Sequence, residues 1–127
     1  MKKKIAILGS TGSIGKSLIN IIKKDKNNIE ISLISAQKNI RELIKQIEIF
    51  KVKNIIVSDN EKFKDIKKIY KNKKINIYNN FNTLDKIFKK KKINYTINAI
   101  SGLDGLDPTL KIIKYTKKIA IANKESI

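Results

Sequence analysis

A chain of 127 residues, about 41% of them hydrophobic, has the length of one ordinary domain and enough apolar material for one core. It has no cysteine and no histidine, which excludes disulfides, thiolate or imidazole metal sites, a cysteine nucleophile and any histidine-based triad. The formal charge is +18, but Arg41 is the only arginine, and the lysines are spread along the chain with short clusters at Lys2–Lys4 and Lys89–Lys92. Nucleic-acid surfaces favour arginine forks and stacked aromatics. The lysine, isoleucine and asparagine excess instead fits codon bias, with the charge on solvated faces that still attract a polyanionic ligand.

The elements alternate from the start. Lys4–Leu8 is an apolar run of buried-strand type, stopped by Gly9. Ser13–Lys24 places Ile14, Leu18, Ile21 and Ile22 on a helical stripe. Ile29–Ser35 reads as a strand, Asn39–Lys51 as a helix and Asn54–Val57 as a strand. Asp59 is a candidate N-cap for a helix over Glu61–Tyr70. Lys74–Tyr78 is a weaker strand, Thr83–Lys90 a short helix and Tyr95–Ala99 another strand. Asp107 before Pro108 predicts an N-cap and a helix over Pro108–Tyr115, followed by a last strand over Lys118–Ala122. Phe50, Phe63 and Phe88 fit helix faces turned to the core. This rhythm predicts an α/β domain: a doubly wound, mostly parallel, Rossmann-like sheet. No signal peptide or membrane-spanning run is visible, so a cytoplasmic protein that binds neither membrane nor nucleic acid is the expectation.

Gly9-Ser10-Thr11-Gly12-Ser13-Ile14-Gly15 lies between the first strand and the first helix. Each glycine has a role there. Gly9 leaves the strand through conformations closed to other residues, Gly12 lets a pyrophosphate approach, and Gly15 permits close helix packing. Free N–H groups at the helix start then hold phosphates, aided by the dipole. The hydroxyls of Ser10, Thr11 and Ser13 are additional donors. The alternative is a plain tight turn. The strand-turn-helix context favours the dinucleotide reading.

Cofactor choice is made after the second strand. NAD enzymes often carry an acid there for the ribose hydroxyls. The stretch Ser35-Ala36-Gln37-Lys38-Asn39 has none, and Lys38 offers a cation for a 2′-phosphate. NADPH is therefore expected over NADH. Two further segments lie at the carboxyl ends of strands. One is Asn98–Pro108, with Ser101, Gly102, Gly105 and the acids Asp104 and Asp107. The other is Asn123–Ile127, where Lys124 suits a substrate phosphate and Asn123 and Glu125 suit nicotinamide or ribose.

Three stretches together resemble the 1-deoxy-D-xylulose 5-phosphate reductoisomerase family. They are Ile5-Ala6-Ile7-Leu8-Gly9-Ser10-Thr11-Gly12-Ser13-Ile14-Gly15, the segment from Gly102 to Leu110 with its Pro108-Thr109-Leu110, and Ala122-Asn123-Lys124-Glu125-Ser126. The glycine turn is shared with other reductases, and its combination with A-N-K-E-S is specific. The resemblance implies conversion of 1-deoxy-D-xylulose 5-phosphate, a small phosphorylated sugar, to 2-C-methyl-D-erythritol 4-phosphate in non-mevalonate isoprenoid biosynthesis. A metal-assisted rearrangement precedes hydride transfer from NADPH. Family cofactor contacts carry over onto Thr11, Gly12, Ser13, Ile14, Lys38, Asn39, Asn123 and Glu125, and the substrate contact onto Lys124. Gln37 stands where the family commonly has glycine, so that backbone contact is not carried over.

The family's divalent metal (magnesium or manganese) is held by a later D-S-E segment. No metal ligand and no catalytic residue is therefore expected in residues 1–127, which read as the NADPH-binding domain of a longer enzyme or a truncated gene. Alone they are expected to bind cofactor without turnover, and the full-length family implies a homodimer. The competing readings are another NADPH-dependent reductase, such as a semialdehyde dehydrogenase with a later cysteine, and a basic nucleic-acid-binding module.

Overall fold

The computed structural model describes residues 2–88 and 92–122. Six strands form one sheet: β1 (Lys3–Leu8), β2 (Ile29–Ala36), β3 (Asn54–Val57), β4 (Asn76–Tyr78), β5 (Ile93–Asn98) and β6 (Thr116–Ile121). Every neighbouring pair is parallel, so the expected mostly parallel sheet is parallel throughout. Parallel strands need crossovers, and five helices supply them: α1 (Ser13–Lys23), α2 (Ile40–Phe50), α3 (Asn60–Ile69), α4 (Leu84–Ile87) and α5 (Leu106–Ile112).

The strand order is β4-β3-β2-β1-β5-β6. The chain winds outward from β1 to β4, then returns to lay β5 on the other side of β1. The order reverses between β1 and β5. Open sheets of this kind bind ligands beyond the carboxyl ends of the strands at that point. The paired ends here are Leu8 and Asn98.

Two apolar layers hold the sheet. On one face Ile5, Ile7 and Ile34 meet Ile19 and Ile22 of α1, Leu43 and Ile47 of α2, and Ile66 of α3. On the other, Ala6, Leu8, Leu33 and Ile56 meet Leu84, Phe88 and Ile112. Both faces of β1 and β2 are thus covered, which explains their unbroken apolar runs. Each fully buried Ile or Leu contributes roughly 1.5–3 kcal/mol. Beyond β1 the cover thins: Tyr95 is 41% exposed, and the Lys118 ammonium lies 5.8 Å above its ring.

Several sequence expectations change. The inward face of α1 is Gly15, Ile19 and Ile22, whereas Ile14 and Ile21 face solvent at 42% and 64% exposure. Contact of Gly15 with the preceding turn fixes the helix rotation, so residues four and seven positions later point inward. Asp107 is not the N-cap of α5. A 3-10 turn over Gly102–Gly105 leads into the helix, with Gly105 at the cap and Pro108 at the third helical position. Proline is tolerated there because first-turn N–H groups lack intrahelical partners anyway. Asp107 instead pairs with Lys111 at 2.8 Å. The predicted Thr83–Lys90 helix is a 3-10 turn over Phe81–Thr83 followed by the single turn α4. Asp59 does cap α3, accepting from the Lys62 N–H at 3.1 Å. Phe50 and Phe63 pack against the first layer, and Phe88 is buried in the second.

Candidate dinucleotide-binding site

The turn after β1 is built almost wholly from backbone. Gly9 has φ +73, and a Cβ on it would come within 2.9 Å of the Ile100 nitrogen. At Gly15 a Cβ would overlap the Gly9 carbonyl and the Ser10 backbone. Both glycines are therefore required by the protein's own packing. Gly12 is different. A Cβ there would meet only the Gly9 oxygen, at an ordinary 3.9 Å. The fold does not require glycine at Gly12, which leaves its open side for whatever enters the crevice.

Gly12 is the N-cap residue of α1 and brings no side chain to the role. The first helical bond runs from the Lys16 N–H to the Gly12 carbonyl at 2.8 Å. The N–H groups of Ser13, Ile14 and Gly15 precede that bond, and no acid lies in the first turn. Donors without a partner among the described residues and the positive end of a helix dipole thus lie together at this turn, as an anion site requires.

Ser35 and Gln46 clamp this turn, and no local pattern around either residue signals that role. The Ser35 hydroxyl accepts from the Gly9 N–H at 2.9 Å, and its carbonyl accepts from the Ser10 N–H at 2.9 Å. Gln46, fully buried on α2, donates from Nε2 to the Ser10 carbonyl at 2.9 Å. Its Oε1 is buried and has no partner among the described residues. The expected role of the Ser10 hydroxyl as a ligand donor is corrected: Ser10 is fully buried, and its hydroxyl is directed to the Ser35 carbonyl at 3.4 Å.

A crevice of about 700 Å³ opens beyond the strand ends at the point of order reversal. Thr11 and Gly12 line its floor, Lys38 and Asn39 one side, and Ile100 and Ser101 the other. Lys38 is exposed. The Asn39 Oδ1 caps α2, accepting from the Glu42 N–H at 3.1 Å. Gln37 has no positive φ, so its backbone does not need the glycine common at that position. The structure therefore brings Thr11, Gly12, Lys38 and Asn39 to one crevice, with Ser13 and Ile14 at the adjoining helix start. Asn123, Lys124 and Glu125 lie outside the described residues.

The opposite wall is held by side chains. Asn98, fully buried at the end of β5, donates from Nδ2 to the Gly105 carbonyl at 2.7 Å and to the Thr109 hydroxyl. Its Oδ1 accepts from the Ile100 N–H at 3.1 Å. The arrangement fits an elongated anion with two ends: a backbone cradle for a pyrophosphate in the middle, a cation on one side and a short loop on the other. Among the described residues no three acidic side chains cluster as a metal site would need.

Proteins of known family share this fold. A relative from Pelagibacter ubique named 1-deoxy-D-xylulose 5-phosphate reductoisomerase is 58% identical over 126 residues, covering 98% of this chain and 32% of that protein. One from Persephonella marina with the same name is 35% identical, covering 98% and 31%. The Zymomonas mobilis reductoisomerase solved with NADPH superimposes with a TM-score of 0.86 at 26% identity, covering 99% of this chain and 33% of that one. A reductoisomerase solved with NADPH, fosmidomycin and magnesium gives 0.85 at 28% identity, covering 98% and 31%. The chain thus spans about a third of the length of the relatives it matches. Since residues 5–127 match the family model described as 1-deoxy-D-xylulose 5-phosphate reductoisomerase, the chain belongs to that family.

Proposed function

We propose that residues 1–127 form the NADPH-binding domain of a 1-deoxy-D-xylulose 5-phosphate reductoisomerase. The observation that carries this is Gly12: a glycine the fold does not need, at the N-terminus of a helix whose first N–H groups have no partner among the described residues. The N–H groups of Thr11, Ser13 and Ile14 hold the pyrophosphate in this reading, and Gly12, whose N–H donates to the Gly9 carbonyl at 3.4 Å, lets it come close. The Lys38 ammonium neutralises the 2′-phosphate, and Asn39 contributes its side-chain NH2, since only its oxygen is used in capping. NADPH, when bound, supplies the hydride. The chain's part is to fix the dinucleotide against the strand ends.

Asn123 and Glu125 are assigned to the nicotinamide end and Lys124 to the phosphate of the sugar substrate. The reaction assigned to the whole enzyme converts 1-deoxy-D-xylulose 5-phosphate to 2-C-methyl-D-erythritol 4-phosphate in a cytoplasmic homodimer with a divalent metal. Relatives solved with NADPH, fosmidomycin and magnesium support that assignment. No helix among the described residues is long and apolar enough to cross a membrane.

The test is a parallel titration with NADPH and NADH. NADPH is expected to bind at least about tenfold more tightly, a difference carried by one charge-assisted contact. Lys38→Ala should remove most of that preference and leave NADH affinity nearly unchanged. Tighter binding of NADH by the unsubstituted protein would contradict the assignment.

A further inference from the structure

We propose that Asn98 is a positioning residue for the nicotinamide half of the bound dinucleotide, acting through the Gly105–Thr109 helix start and the Ile100 backbone. This rests on the reading of the crevice as the NADPH site. Asn98 does not line the crevice itself, yet each hydrogen bond of its side chain is to the wall facing Lys38. Both hydrogens of its amide are used, one on the Gly105 carbonyl and one on the Thr109 hydroxyl, and its oxygen takes the Ile100 N–H. The Thr109 hydroxyl closes the network by donating to the same Gly105 carbonyl at 2.8 Å. A buried amide satisfied on both ends fixes what it touches, because breaking one bond strands its partner.

What Asn98 touches is the loop that completes the site. Ile100 abuts Gly9 of the phosphate turn, where even a Cβ would intrude. Ile100, Ser101 and Asp104 then line the crevice on the β5 side. Adenosine ribose is read beside β2 in sheets of this order, so the β5 side is left for the nicotinamide half. The network also gives Gly105 and Thr109 a shared purpose. They set where α5 begins, and so how long the loop before it is.

The test separates the two halves of the ligand. NADPH and 2′,5′-ADP, which carries only the adenosine half, are titrated against the unsubstituted protein and against Asn98→Asp, Thr109→Val and Thr109→Ser. Asn98→Asp keeps the shape but loses both donors and sets an oxygen against the Gly105 carbonyl. Asn98→Asp and Thr109→Val are expected to weaken NADPH by about tenfold while 2′,5′-ADP changes less than about twofold. Thr109→Ser, which keeps the hydroxyl, should bind both ligands as the unsubstituted protein does. Equal losses for both ligands would make Asn98 merely structural and overturn the proposal, as would unchanged NADPH affinity. If Asn98→Asp fails to fold, the Thr109 pair still decides. Failure of the unsubstituted protein to bind NADPH at all would remove the functional reading on which the proposal stands.

Discussion

The two walls of the crevice are made by different means. The wall from β1 into α1 is backbone, shaped by Gly9 and Gly15 and clamped from behind by Ser35 and Gln46. The wall from β5 into α5 is a loop tied down by one buried amide and one hydroxyl, Asn98 and Thr109. A backbone wall presents unsatisfied N–H groups, which suit a phosphate whatever else the ligand carries. A side-chain wall presents shape, which suits one particular end of a ligand. In the proposed reading, the fold divides general affinity from orientation between two neighbouring strands.

The contrast can be broken hardest at Gly15. Gly15→Ala drives a methyl group into the Gly9 carbonyl and the Ser10 backbone, so the turn must move. Loss of roughly 3 kcal/mol of stability is expected, with NADPH binding lost as well, measured by denaturant unfolding and titration. A smaller effect comes from Gln46→Leu. It fills the same buried space but leaves the Ser10 carbonyl without its donor, at a cost of about 1–2 kcal/mol. NADPH and 2′,5′-ADP should weaken together in that variant, because the turn serves both. A selective loss of NADPH alone would mean that the two walls are not separable as described.

The smallest effect is a control remote from both walls. Tyr70 donates to the Glu48 carboxylate at 3.0 Å, and burial together with that acid pushes its pKa up to about 12 from 10.0. The folded state therefore holds this proton more tightly than the unfolded chain does. The resulting stability is complete below pH 10 and is lost as pH rises towards 12. Tyr70→Phe should flatten that part of the alkaline stability profile without changing NADPH affinity at neutral pH.

The same contrast explains what could be read from the sequence. The β1–α1 wall was legible because glycine carries its information locally: Gly9, Gly12 and Gly15 lie within seven residues, and their spacing encodes the turn. The βα rhythm was legible for the same reason, since β1, β2 and β3 are buried on both faces and their apolar runs are unbroken. The β5–α5 wall was not legible. Asn98 and Thr109 are ordinary polar residues eleven positions apart, and only the fold makes them partners. The start of α5 departs from its local signal for the same reason: the helix is capped at Gly105, whose carbonyl takes a tertiary bond from Asn98, and not at Asp107 before Pro108. On α1, the outward turn of Ile14 and Ile21 follows from a contact that the apolar pattern alone does not encode.

Gly12 gives the most direct test of the central claim, because the fold leaves it free and the ligand does not. Calorimetric titration of NADPH against the unsubstituted protein and Gly12→Ala, with thermal unfolding of both, is predicted to give single-site binding in the first. In the variant, affinity should be at least about tenfold weaker at an unchanged melting temperature. Equal affinity in the two proteins, or no binding in either, would contradict the assignment of this turn as the pyrophosphate cradle.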